Sequence, residues 1–168
     1  MILQTKRLRV RGFRDSDRPA VEEWFQDPSV MQYSMGVMGE DEIRQWLVAS
    51  IENASEPTGH FALVLRETGE CIGYVGLDLD IPLPVETKTV IGYRLRSKFW
   101  GRGYATEVVR ALLDYAFSEL QVSQVCATID PANLASIRVA EKAGMLRAGT
   151  VMLEGYTYPD ILYTIEKK

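Results

Sequence analysis

Trp100-Gly101-Arg102-Gly103-Tyr104-Ala105-Thr106-Glu107 joins a strand-like run, Thr89–Arg96, to the most strongly patterned segment of the chain. From Tyr104 to Leu120 the residues Ala105, Val108, Val109, Leu112, Leu113, Ala116, Phe117 and Leu120 recur at helical spacing and make one apolar stripe. The order is therefore strand, small-residue loop, helix. Gly101, Gly103 and Ala105 supply the small residues, and glycine lets backbone take a positive φ and approach a ligand closely. The N–H groups that open a helix have no partner within it, and the helix dipole adds partial positive charge there. This combination suits a pyrophosphate.

From Thr87 to Thr106 the chain carries Lys88, Arg94, Arg96, Lys98 and Arg102 and no acid, although its net charge is −4. Such an island serves an anionic partner or is a solvated face; its coincidence with the glycine loop favours the partner. A Walker loop would close on Lys-Ser or Lys-Thr, and none is present. A dinucleotide fingerprint needs Gly or Ala where Thr106 stands, and an acid about 20 residues on. The stretch Trp100–Ala105 instead resembles the coenzyme A loop of the GNAT superfamily of N-acetyltransferases, Gln/Arg-x-x-Gly-x-Gly/Ala, with Trp100 replacing the first residue.

That replacement is similar to the ribosomal-protein N-terminal acetyltransferase-like group, in which Gly-Tyr-x-Leu precedes Trp-Gly-Arg/Lys-Gly-Tyr-Ala-Thr-Glu. Here Gly92-Tyr93-Arg94-Leu95 precedes Trp100 through Glu107. Leu3 through Arg11, then Ser16-Asp17 and Asp27-Pro28, resemble the opening of the same group, and Asn133 through Met145 resembles its Asn-x-x-Ser run. The match spans nearly the whole chain in order.

The chain's 168 residues, 46% apolar and 25% charged, suit one domain over 1–168 with a substantial core. No run approaches the ~18 apolar residues of a membrane span. Met1-Ile2-Leu3 leads straight into Lys6-Arg7, without the pattern of a signal peptide. Cys71 and Cys126 sit in strand-like runs and read as core residues of a reducing, cytoplasmic compartment. A single His, His60, and no Cys/His cluster argue against a zinc site. The acidic balance argues against nucleic acid.

Strands are expected over Leu8–Phe13, His60–Leu65, Cys71–Leu79, Thr89–Arg96, Val125–Ile129, Gly149–Tyr156 and Ile161–Ile165. Helices are expected from a Ser16 cap through Phe25, from Gly39-Glu40-Asp41-Glu42 through Ile51, over Tyr104–Leu120, and from Asn133 to near Gly144. This order predicts an α/β fold with a mixed, mostly antiparallel sheet of about seven strands and helices on both faces. The GNAT fold has the same order.

The resemblance implies acetyl-CoA as cofactor, held by Trp100, Gly101, Arg102, Gly103, Tyr104, Ala105 and Thr106, with Lys98 adding charge. It implies a bulge in the strand before the loop, with the Leu95 N–H facing the thioester oxygen. It gives Asn133 a bond to the cofactor's arm, although the same residue suits a helix N-cap after Pro131. Many relatives place a tyrosine seven residues after this asparagine as acid to the thiolate; here that position is Ala140, and Ser136 is the substitute donor or an ordinary helix serine. Arg138 and Lys142 are candidates for the 3′-phosphate. Asp78, Asp80, His60, Glu86 and Asp160 are candidate bases, with Asp160 favoured because that position is often acidic in this group.

The acceptor side is expected to be acidic (Asp27, Glu40, Asp41, Glu42, Asp160) and lined by Trp24, Tyr33, Met35, Met38, Tyr156 and Tyr158. Such a site suits a cation: a protein N-terminus, a polyamine or an aminoglycoside. The function implied is acetyl transfer to a primary amine by direct attack in a ternary complex, in a monomer or homodimer. The competing class is a non-catalytic acyl-CoA-binding domain on the same fold.

Overall fold

The computed structural model describes residues 3–34, 36–78 and 89–167. The N-terminal strands β1 (Leu3–Gln4) and β2 (Leu8–Arg11) lead into α1 (Arg18–Gln26), α2 (Pro28–Met31) and α3 (Glu40–Glu52). Next come β3 (Gly59–Leu65), β4 (Cys71–Asp78) and β5 (Val90–Leu95), then α4 (Tyr104–Ser118), β6 (Gln124–Ile129) and α5 (Leu134–Lys142). The chain closes with β7 (Leu146–Val151) and β8 (Asp160–Glu166). Among the described residues one eight-stranded sheet runs in the order β1-β2-β3-β4-β5-β6-β8-β7.

Alternation along the strands divides the core in two. Phe61, Leu63, Val75, Leu77, Ile91 and Leu95 pack beneath α4 through Val108, Val109, Leu112 and Leu113. Ala62, Val64 and Cys71 turn the other way, against Val21, Trp24, Phe25, Ile43 and Leu47 of α1 and α3. Strands sandwiched in this manner read as continuous apolar runs. Each layer of helices covers one face, as expected.

Three expectations need correction. The sheet has eight strands, because Leu3 pairs with Val10 and Gln4 with Arg9 in a ladder too short to leave a periodic pattern. The strand expected over Gly149–Tyr156 lies earlier, at Leu146–Val151; it is a largely exposed edge strand with one neighbour, so burial imposes no alternation on it. The one-turn helix α2 was not expected; Asp27 caps it by accepting from the Ser29 N–H at 2.9 Å, with Pro28 in the first position. The end of the expected strand at Leu79, and Met35, Asp80, Glu86 and Lys88, lie outside the described residues.

The site follows from a defect in the sheet. All neighbouring strands are antiparallel except β5 and β6, which run parallel and share a single pair, Val90 with Cys126. The Cys126 N–H donates to the Thr89 carbonyl at 2.9 Å, and beyond this the two strands part. On its other edge β5 stays in register with β4 from Val90 opposite Asp78 to Leu95 opposite Gly73, without a shift. The bulge implied for β5 is therefore absent from this ladder, and the gap arises because β6 diverges. Gly73 lets β5 press close: a Cβ there would lie 2.0 Å from the Arg94 carbonyl oxygen.

Candidate active site

The wedge between β5 and β6 opens into a cleft of about 580 Å3 that continues into a smaller cavity of about 220 Å3. Trp100, Gly101 and Gly103 through Thr106 line the larger part, with Leu95, Asn133 and Ser136. Asp130, Tyr156 and Asp160 line only the smaller part. Tyr33, Ser34, Tyr93, Arg94, Asn133 and Ser136 face both. Residues scattered from position 33 to position 160 thus meet in one continuous space.

At the loop, Gly101 and Gly103 have φ of 71° and 76°, a region that side-chain-bearing residues avoid. Gly103 is the N-cap of α4, and its carbonyl takes the first helical bond, from the Glu107 N–H at 3.1 Å. The N–H groups of Tyr104, Ala105 and Thr106 precede that bond and have no partner in the helix. Behind the loop stands an anchor that sequence reading missed. Glu107 accepts from the Thr5 hydroxyl at 2.5 Å, the Arg7 N–H at 2.9 Å and Arg7 Nε at 2.6 Å. Arg7 also donates to the Arg102 carbonyl at 2.9 Å and lies over the Tyr104 ring. Burial opposes ionisation of Glu107, but the Thr5 and Arg7 bonds outweigh it and hold the carboxyl below its ordinary range. The co-occurrence of Thr5, Arg7 and Glu107 in the two separate motifs was the available signal.

The basic island divides once its partners are seen. Arg96 is buried and pairs with Glu23 and with Glu70, the latter at 2.8 Å; Lys98 pairs with Glu70 at 3.2 Å. Arg102 packs its guanidinium 5.6 Å from the Phe99 ring and does not line the cleft. Arg94, Arg138 and Lys142 do.

Where β5 ends, alternation aims the backbone. The Arg96 N–H donates to the Ile72 carbonyl of β4 at 2.9 Å, so the N–H of Leu95 points to the opposite edge, from which β6 has diverged. The Leu95 carbonyl is held by Trp100 Nε1 at 2.8 Å, which fixes this peptide from the loop side. Asn133 caps α5 by accepting from the Ser136 N–H at 3.1 Å, and this leaves its amide NH2 available on the cleft wall. The Tyr93 hydroxyl is buried and has no hydrogen bond of ordinary geometry; burial pushes this phenol up to about 12, partly offset by neighbouring Ser136. Tyr93 was not among the expected site residues, because its position reads equally well as a core strand.

Asp160 begins β8 and is buried, with Oδ1 unpartnered. Burial first, and the charge of Asp130 second, move its carboxyl above the ordinary range. Asp130 is itself occupied, accepting from the Ala132 N–H at 2.7 Å and the Tyr158 hydroxyl at 2.6 Å. Of the other candidate bases, His60 is wedged between Trp46 and Tyr74 and is pulled below its ordinary value, chiefly by burial. Neither His60 nor Asp78 lines the cleft.

The expected acceptor wall is largely corrected. Asp27 caps α2 and accepts from Ser97 at 2.8 Å, Glu42 accepts from the Gly39 N–H at 2.7 Å, and Asp41 pairs with Arg44. Trp24 is fully buried and Met38 packs on the same core. Tyr33, Tyr156 and Asp160 remain on the wall. Cys71 and Cys126 are buried and pushed up by burial to about 12 and about 11, which removes them as nucleophiles at neutral pH. Among the described residues no three metal-ligating side chains cluster, and no helix is long and apolar enough to cross a membrane.

Residues 7–146 match the family described as the acetyltransferase (GNAT) domain. The chain belongs to this GNAT family. It is 40% identical over 155 residues to the uncharacterized protein YkkB of Bacillus subtilis, covering 89% of this chain and 87% of that protein. It is 31% identical over 157 residues to the FsC-acetyl coenzyme A-N(2)-transacetylase of Aspergillus fumigatus, covering 88% and 66% respectively. A crystal structure of a GNAT-family acetyltransferase from Bacillus anthracis superposes with a TM-score of 0.85 at 29% identity, covering 99% of this chain and 98% of that one. The protein is thus a GNAT acetyl-CoA-dependent N-acetyltransferase. Its cleft fits the cofactor: a Cβ built on Gly101 meets no atom, and the first-turn N–H groups of α4 border the same space.

Proposed function

We propose that this protein moves the acetyl group of acetyl-CoA directly to a primary amine in a ternary complex, acting as one domain over 1–168 in a reducing, cytoplasmic compartment. Its acceptor is an amine-bearing small molecule or peptide N-terminus, and its motifs ally it with the ribosomal-protein N-terminal acetyltransferase-like group. One observation carries the reading. Two of the buried polar atoms that lack a partner, Tyr93 Oη and Asp160 Oδ1, belong to residues lining the same wedge, into which the Leu95 N–H points. Buried polar groups are seldom left unpaired without a functional reason.

Acetyl-CoA, when bound, supplies a thioester open to attack by an amine. Gly101 and Gly103 through Thr106 hold the pyrophosphate by backbone N–H groups, with the loop kept in shape by Arg7 and Glu107. Asn133 offers its amide to the cofactor's arm. The Leu95 N–H donates to the oxygen on which charge develops, the preorganised arrangement that contributes most to such reactions. Ser136 donates to the departing sulfur, where Ala140 leaves no tyrosine. Asp160, with a raised carboxyl pKa, takes the ammonium proton directly or through water. An alkyl amine is mostly protonated at neutral pH, so this step limits the supply of nucleophile.

Free-thiol release from acetyl-CoA, measured over a panel of amines and peptides, tests the proposal. Thiol release that depends on the amine supports it. Saturable acetyl-CoA binding with no turnover on any amine would leave a non-catalytic acyl-CoA-binding domain.

A further inference from the structure

Arg94 on β5 and Arg96, one residue past the end of that strand, have opposite surroundings. Arg96 is buried against two carboxylates, Glu23 and Glu70, and also donates to the Cys71 carbonyl at 2.8 Å. That accounts for its charge inside the fold. Arg94 donates to Met31 Sδ at 2.9 Å and to the Ser34 hydroxyl, both neutral, and its guanidinium lies 5.8 Å from the rings of Phe25 and Tyr74. Among the described residues no carboxylate comes within ion-pair distance of it; Asp78 stands at the far end of the β4–β5 ladder, opposite Val90. A guanidinium presents five N–H donors in a fixed fork, and among the described residues two neutral acceptors engage this one. Arg94 lines both the cofactor cleft and the smaller cavity.

We infer that Arg94 binds a carboxylate of the acceptor, which is therefore an amino-acid-type molecule carrying both an amine and a carboxylate. This rests on the acetyltransferase reading and names its substrate class. The remaining walls of the smaller cavity agree. Asp130 and Asp160 set two carboxyl groups at the β6 and β8 end, suited to the ammonium, and Arg94 stands on the β5 side. A zwitterion is complementary to both. The smaller part of the cleft, about 220 Å3, has room for an acceptor of amino-acid size. One guanidinium assisted by neutral groups balances one negative charge, and its fork matches a carboxylate in two parallel bonds. Met31, Ser34 and the aromatic rings hold the fork in place before the acceptor arrives.

The test compares matched acceptors in the thiol-release assay: the common amino acids against their carboxamides, with phosphoethanolamine as an anionic control. The expected result is a kcat/KM for the best amino acid on the order of 100-fold above that of its amide, as for a site built around a charged partner. In Arg94→Gln this ratio should collapse toward one, and Arg94→Lys should retain part of it. Both variants are to be checked for an intact acetyl-CoA-dependent rise in Tm, which separates lost recognition from lost folding. Equal rates on acids and amides in the unmodified protein would overturn the inference and leave acetyl transfer standing. A preference for phosphoethanolamine over every amino acid would overturn the carboxylate assignment. Failure on all amines despite cofactor binding would remove the acetyltransferase reading, and this inference with it.

Discussion

The two ends of the cleft are built from different material. The cofactor end is one contiguous loop and the first turn of α4, and what it offers a ligand is backbone: the N–H groups after Gly103 and the N–H of Leu95. The acceptor end is assembled from side chains that reach in from separate elements. Tyr33 follows α2, Arg94 sits on β5, Asp130 follows β6 and Asp160 begins β8. A backbone site tolerates few changes, because glycine at a positive φ and an N–H aimed at a gap depend on local sequence. A side-chain site can be altered one residue at a time without disturbing the fold. The same protein can therefore keep one cofactor while its acceptor is set elsewhere.

This contrast is open to test, and the largest effect belongs to the acceptor end. Asp160→Asn should lower kcat/KM by roughly 100-fold or more if Asp160 removes the proton. Activity should rise with pH in the unmodified protein, because both a free base and a neutral amine are needed. The variant should lose the acid-side limb of that profile. Stability should move in the opposite direction. With its carboxyl pKa raised in the folded state, Asp160 carries no penalty below its unfolded value of about 3.9 and the full penalty above its folded value. Asp160→Asn should therefore raise Tm near neutral pH, with the gain shrinking toward acid pH. A lower Tm with unchanged activity would make Asp160 structural.

At the cofactor end, Gly103→Val should weaken acetyl-CoA binding by at least ~10-fold, while costing about 1–2 kcal/mol of stability for a β-branched residue at φ 76°. Unchanged affinity in a titration would reduce the loop to an ordinary helix start. Between the two ends, Ser136→Ala should lower kcat by roughly 10- to 100-fold with little change in acetyl-CoA KM. A normal kcat would leave the unpartnered Tyr93 hydroxyl as the proton donor on that wall.

The same contrast explains what could be read from the sequence. The order of strands and helices, the loop and its α4 stripe were legible because periodicity and small-residue spacing are local properties. Of the acids expected at the acceptor end Asp160 lies there, whereas Asp27, Asp41 and Glu42 are taken up by caps and an ion pair near their own helices. The basic island gave a mixed signal: Arg96 and Lys98 answer to Glu23 and Glu70, which are distant in sequence. Nothing local distinguishes Arg94, which has neutral partners, from Arg96. The divergence of β6 was also hidden, because it is a relation between two strands that each look ordinary alone.

Amide hydrogen exchange with and without acetyl-CoA tests the central claim most directly, because that claim concerns named backbone N–H groups. Saturating acetyl-CoA should slow exchange at Leu95 and at Tyr104, Ala105 and Thr106, leave the β7 edge unaffected, and have no counterpart with NAD. Protection confined to other segments, or the same protection from NAD, would contradict the assignment of this wedge as the acetyl-transfer site.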